Sequence, residues 1–125
     1  FLFLTIFFWE IGGQNAPNDW TDIEEDRHFG ARTIPVAFGL QHTRDIILGA
    51  LLLSLVAALL VLLFSQIPFG PFYYLAVLAV GTYLLLRPAW ILHDSGRKTD
   101  AMRLFNRASY FPLVLFGLVL IRLLT

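Results

Sequence analysis

The 125 residues contain no cysteine, so disulfides, thiolate metal sites and cysteine nucleophiles are excluded within this chain. Charge is also scarce. Only 14% of residues are charged against 58% hydrophobic, and positions 46 to 86 carry no charged side chain. The nine basic and nine acidic residues cancel, which leaves a nucleic-acid partner without electrostatic support. No internal repeat, low-complexity tract or composition break marks a second domain. The first apolar run lacks both a basic n-region and a small-residue cleavage site, so it reads as a helix rather than a signal peptide. It opens on Phe1 without an initiator methionine, as the end of a helix whose beginning lies upstream, and the chain is read as a fragment.

What is present is a membrane composition. Mean hydropathy is +0.71, and a soluble domain carries closer to a quarter charged residues. The uncharged stretch is long enough for two spans of about 20 residues each, with Ser65-Gln66-Ile67-Pro68-Phe69-Gly70-Pro71 as the turn between them. Four segments follow: a truncated helix over 1–15, then transmembrane helices over 45–64, 69–92 and 104–124, with 16–44 as a polar loop. In the last segment Arg107 and Arg122 bracket an uncharged core and sit roughly 22 Å apart, a distance that snorkelling extends to both interfaces. Arg27, Arg32 and Arg44 lie in the first loop; Arg87, Arg97, Lys98, Arg103 and Arg107 lie in or beside the third. The positive-inside rule makes that side cytoplasmic. Trp20 and Trp90 read as interface aromatics there, and Phe69, Phe72, Tyr73 and Tyr74 as their counterparts opposite. The predicted fold class is an all-α integral membrane protein, a multi-pass helix bundle.

The loop of 16–44 holds the densest polar chemistry, Asn18-Asp19-Trp20-Thr21-Asp22-Ile23-Glu24-Glu25-Asp26. Asp19, Asp22 and Asp26 are spaced i, i+3 and i+7, within roughly 60° of one helical face. Three carboxylates on one stripe repel unless a cation holds them, and oxygen-only ligands suit magnesium shared with substrate phosphates. An EF-hand does not match, because its sixth position requires glycine and Glu24 stands there. The alternative is a solvated helix end with ordinary surface acids. Membrane placement and the following Gly30-Ala31-Arg32-Thr33-Ile34-Pro35-Val36 run favour a site for a metal-complexed anion.

Asp19-x-x-Asp22-x-x-x-Asp26, followed by Arg27, Gly30, Arg32-Thr33, Pro35-Val36 and Gly39, resembles the second aspartate-rich motif of the UbiA family of intramembrane prenyltransferases. Ala101-Met102-Arg103-Leu104-Phe105-Asn106-Arg107-Ala108-Ser109-Tyr110 resembles the approach to that family's final helix. The resemblance spans essentially the whole chain, as the C-terminal half of the family domain, with about four helices of an expected nine. It implies transfer of a prenyl group from a polyprenyl diphosphate to an aromatic or lipid-precursor acceptor, with magnesium as cofactor and membrane lipid as surroundings. By the same resemblance Asp22 and Asp26 are the principal metal ligands, and Asp19 is a third, direct or through water. Arg27 and Arg32 are diphosphate contacts, and Asn18 orients a ligand or a bound water. Arg27 keeps a second reading as the ion-pair partner of a loop acid, and Arg32 as a positive-inside residue. The family uses two aspartate motifs and this chain carries one, so the resemblance implies a missing N-terminal half and little activity without it. A bacterial or archaeal cytoplasmic membrane is the implied location. The tail is closer to naphthoate, chlorophyllide or archaeal-lipid branches than to the 4-hydroxybenzoate branch.

Two other classes compete. CDP-alcohol phosphotransferases place Asp-Gly-x-x-Ala-Arg before their later acids, whereas here Gly30-Ala31-Arg32 follows the acids and no Asp-Gly occurs. A transporter or non-catalytic membrane subunit would use the acids for a cation or for assembly. Glu10 and Gln14 lie one helical turn apart, beside Asn15. They either line an acceptor pocket or the metal site, or hydrogen-bond across a bundle interface. Gly12, Gly13, Gly49, Ala57, Ala58 and Gly117 are expected to permit close helix packing. Asp94 and Asp100, near Arg97 and Lys98, read as solvated loop acids or as part of a cover over the site. His28, His42 and His93 lack ligand-like spacing.

Overall fold

The computed structural model describes residues 1–125 and contains helices and short turns only. Three helical stretches are long and apolar enough to cross a membrane: Ile34–Leu63, Pro71–Ser95 and Lys98–Leu124. Ahead of them runs a further interrupted helix. It comprises α1 (Leu2–Trp9), a π-helical turn (Glu10–Asn15) and α2 (Ala16–Thr21). A short α3 (Ile23–His28) follows, then the long α4 (Ile34–Leu63). The second hairpin arm is α5 (Pro71–Gly81), a second π turn (Thr82–Leu86) and α6 (Arg87–Ser95). The chain ends with α7 (Lys98–Ala108) and α8 (Phe111–Leu124).

Much of the stretch expected as a loop at 16–44 is helical. Local chemistry accounts for it. Pro35 sits in the first turn of α4, after the extended Thr33, where a missing N–H leaves nothing unsatisfied. In α3, Glu24, Glu25 and Asp26 occupy the first turn and Arg27 and His28 the last, in the sense that complements the helix dipole. At 30 residues, α4 would run about 45 Å if straight, well beyond an apolar core of about 30 Å. It bends at Gly39, whose φ is +80°.

Prolines also explain the two π turns. Each ends two residues before a proline, Asn15 before Pro17 and Leu86 before Pro88. A proline inside a helix removes one N–H and clashes with the carbonyl four residues back; widening the turn relieves the clash. Two carbonyls that lie four residues before a proline, one at the first π turn and one at the α7–α8 break, find side-chain donors. Gly13, four residues before Pro17, accepts from the Gln14 side-chain amide at 2.8 Å. Ala108, four residues before Pro112, accepts from the Trp9 indole N–H at 2.8 Å. Gln14 Nε2 also donates to the Phe105 carbonyl at 3.2 Å and lies 3.3 Å from Ser109 Oγ. The first helix is therefore sewn to the α7–α8 break.

Close packing surrounds these bonds. A Cβ on Gly12 would come within 3.0 Å of the Ile47 carbonyl and Ala50, and one on Gly13 within 2.9 Å of Ala108. Gly81 is equally tight against Leu55. Gly49 and Gly117, expected to pack likewise, face open space. Ile47, Leu51, Leu85, Leu92, Leu104 and Phe111 are fully buried and form the centre of the core. Trp20, expected at an interface, belongs to this core at 2% exposed, while Trp90 is 62% exposed. At the opposite end Arg122 Nε donates to the Pro68 carbonyl at 2.7 Å, tying α8 to the α4–α5 turn. Buried Ser54 donates to the Thr5 carbonyl at 2.7 Å, joining α4 to α1.

Trp9→Phe keeps the ring but deletes the indole donor, leaving the Ala108 carbonyl unpaired. The expected outcome is a loss of about 1 kcal/mol of stability, read as a lower thermal midpoint in detergent. An unchanged midpoint would remove this bond from the account of the fold.

Candidate functional site

The acidic stretch does not lie on one continuous helix. Asn18 and Asp19 stand on α2, and the helix breaks at Asp22, whose φ and ψ are −104° and 14°. Asp26 and Arg27 belong to α3. That helix closes on Gly30, at φ +74°. The Ala31 N–H reaches back to the Asp26 carbonyl at 2.8 Å and the Gly30 N–H to the Arg27 carbonyl at 3.3 Å. This is a Schellman closure, which needs a left-handed residue at the position of Gly30. The Asp26-x-x-x-Gly30 spacing thus has a backbone reason: the turn that ends α3 is hydrogen-bonded to the aspartate's own carbonyl.

Asp22 is exposed, and Asp19 and Asp26 are half-buried. They are close enough to feel one another. Partial burial, and then the charges of Asp26 and Asp22, raise the Asp19 carboxyl above its ordinary value of 3.8. They do not close a cage, since no three acidic or imidazole side chains converge as a ready-made metal site. The donor set is nonetheless of the right kind. Magnesium is usually held by one or two carboxylates together with water and substrate phosphates, rather than by an all-protein cage. An open, mutually repelling row of carboxylates fits that mode of binding.

The basic candidates separate. Arg27 pairs with Glu24 at 3.8 Å, with both side chains largely exposed. Arg32 is exposed in the short extended connection before α4 and enters none of the ion pairs. Asn18 is exposed on the same helix as Asp19. Beside Arg32, the buried Thr33 hydroxyl has no hydrogen-bond partner.

Sequence reasoning missed the bracket behind the acids. Trp20, next to Asp19, lies under the Arg44 guanidinium at 5.9 Å. Arg44 Nη1 donates to the His93 carbonyl at 3.1 Å, at the end of α6. The guanidinium is seated against Gly96, at φ +65°, where any Cβ would collide with it. One residue along α4, Asp45 meets His93 Nε2 at 2.8 Å. Asp100, expected to be solvated, is 2% exposed. It accepts from Ser95 Oγ at 2.5 Å and from Arg97 Nε at 3.1 Å, with Arg103 at 3.5 Å. A buried carboxylate is tolerated when it is paired and hydrogen-bonded in this way. The signal available in the sequence was Ser95-Gly96-Arg97, a helix-stop flanked by donors, placed three to five residues before an acid.

The apolar cavity of about 250 Å³ lies elsewhere, toward the other end, among Thr5, Leu62, Tyr73, Val77 and Leu115. It contains none of the acids.

The model of the UbiA prenyltransferase family matches residues 1–110. The chain belongs to the UbiA prenyltransferase family. Neither a curated protein nor a solved structure matches it. The UbiA match takes in every site residue named above and stops at the α7–α8 break, leaving α8 outside. UbiA membership carries membrane prenyl transfer as the activity at family level, with a polyprenyl diphosphate and an aromatic acceptor as the implied substrates. The family generally uses magnesium through aspartate-rich motifs.

The raised Asp19 carboxyl has a sign. Its folded form holds the proton more tightly than the unfolded chain, so its ionisation works against folding. Stability falls as pH rises from 3.8 through the folded value, then stays constant. Asp19→Asn is expected to raise the thermal midpoint of magnesium-free protein at neutral pH, with the gain vanishing below 3.8. Magnesium should stabilise the wild type more than the variant. A midpoint that Asp19→Asn lowers at neutral pH would contradict the repulsion.

Proposed function

We propose that this chain supplies one aspartate motif of a magnesium-dependent prenyltransferase that moves a prenyl group from a polyprenyl diphosphate to an aromatic or lipid-precursor acceptor. Asp22 and Asp26 are the principal metal ligands, and Asp19 is the third, direct or through water. The observation that carries this reading is an open, self-repelling carboxylate row lying inside the family match. The second motif is supplied from outside these 125 residues, since one carboxylate row alone holds one side of a diphosphate. We read the four helices as the C-terminal half of the domain, which turns over poorly without the other half.

Allylic C–O cleavage leaves heavy negative charge on diphosphate, and bound magnesium would supply the Lewis acidity that offsets it. The chain's own residues do the rest. Arg32, unpaired and exposed, reaches the diphosphate oxygens; Arg27 can leave its weak exposed pair with Glu24 to do the same. Asn18 orients a ligand or a bound water. The apolar helices keep the prenyl tail and the allylic cation away from water. The basic residues of the first and third connections support a cytoplasmic placement of the motif. The contact between Arg44 and the end of α6 is consistent with both connections lying on one side.

In the complete protein, Asp22→Asn or Asp26→Asn should reduce prenyl transfer by about a hundredfold or more, assayed in liposomes with magnesium and geranylgeranyl diphosphate. Transfer at the wild-type rate in both variants would sink the proposal.

A further inference from the structure

Arg107 enters none of the ion pairs. Its guanidinium lies instead over the ring of Tyr83, 5.3 Å from the centroid. That contact joins α7 to the second π turn, and Tyr83 itself stays exposed. Arg103, one turn earlier on α7, is exposed and reaches Asp100 only at 3.5 Å. Asp100 is buried and already accepts from Ser95 and Arg97. In these ion pairs Arg97 and Arg103 share a single acid and Arg107 has none, so this end of α7 keeps unneutralised positive charge.

An apolar groove begins at the same tyrosine. It has a volume of about 390 Å³ and lies between α5, the second π turn and α8, lined by Ala79, Val80, Tyr83, Leu84 and Val114. Tyr83 is thus shared by the groove and by the Arg107 contact. Gly117 stands one turn past Val114 on α8, on the same side of the helix. A Cβ there would meet nothing within 4 Å. The adjoining Leu78, Leu113 and Phe116 are exposed, so apolar surface continues to either side. None of Asp19, Asp22, Asp26, Arg27 and Arg32 lines this groove.

Length fits the pattern to a membrane. From Arg107 to Gly117 the helical path is about 15 Å. That is half of a hydrocarbon core of about 30 Å, the depth of one leaflet. Cations at the surface, an aromatic ring at the edge and an apolar groove one leaflet deep follow the order of parts in an anionic phospholipid. Free phosphate would use the arginines alone, and a neutral lipid the groove alone. An anionic lipid uses both.

We propose that Arg107, Arg103 and the groove between α5 and α8 form a binding site for one anionic phospholipid. Its phosphate sits on Arg107 with Arg103 beside it. One acyl chain lies along Tyr83, Val80 and Val114 and passes Gly117. The basic end of the bundle places this lipid in the cytoplasmic leaflet, where anionic headgroups draw basic side chains. Bound there, the lipid bridges α7 and α8 to the α5 arm, so the stability of the bundle depends on it.

The test uses the complete protein in mild detergent, titrated with dioleoyl phosphatidylglycerol or dioleoyl phosphatidylcholine. Retention is read by native mass spectrometry, and stability by the thermal midpoint. One phosphatidylglycerol should be retained in preference to phosphatidylcholine and should raise the midpoint. Arg107→Gln should weaken that retention about fivefold, the loss of one basic contact. Arg122→Gln, at the opposite end of α8, should leave it unchanged. Gly117→Leu removes no charge and places its side chain in open space. It should weaken retention comparably, with a lipid-free midpoint no lower than that of the wild type. Glycerophosphate, which has the phosphate without the chains, should not compete. Equal retention of the two lipids, wild-type retention in Arg107→Gln or in Gly117→Leu, or competition by glycerophosphate overturns the proposal. So does preferential retention of geranylgeranyl diphosphate over phosphatidylglycerol without magnesium, which would give the groove to the prenyl substrate.

Discussion

Backbone carbonyls in a membrane have no water to turn to, and each proline in a helix strands one of them. Pro17 and Pro112 do this at the two places where the first helix meets the end of α7. The Gln14 amide and the Trp9 indole answer them, one within its own turn and one across to Ala108. These bonds hold the first helix against α7 at one rotation, with Gly12 and Gly13 pressed onto α4 and Ala108. That rotation decides which residues of the first helix face inward and which remain free. Asn15, Asn18 and Asp22 are left exposed because Gln14 and Trp9 are not.

The acidic stretch is built as an interruption, with a break at Asp22 and a closure at Gly30. Its carboxylates, distributed over two short helices, repel one another without converging as a ready-made metal site. Behind it the Trp20–Arg44–His93 bracket makes the helix bearing Asp19 part of a rigid corner with α4 and α6. A braced support under an open row of acids suits the proposed role of holding a highly charged leaving group without reorganising.

Several features were legible in the residues because they depend on local chemistry. The uncharged stretch of 46–86 announced two spans, and the structure has α4 and the α5–α6 arm there. The Asp19, Asp22, Asp26 and Gly30 spacing identified the family, which the match over residues 1–110 shows. Other features were not legible. Asp100 looks like a surface acid, and only the return of α6 into α7 puts Ser95, Arg97 and Arg103 around it. Trp20 looks like an interface aromatic until Arg44 arrives from α4. Gly49 and Gly12 are alike as letters, yet one faces open space and the other a neighbouring backbone.

Amino-acid order by itself determined the membrane class, the apolar arms and the family to which the acidic motif points, because hydropathy, charge and short-range spacing act over a few residues. Tertiary structure alone decided which polar groups are spent on holding helices together and which stay free for a ligand. A π turn shifts the facing of every residue after it, and partners such as Ala108 for Trp9 lie 99 positions away. Burial is a property of neighbours, and neighbours at that separation are chosen by packing.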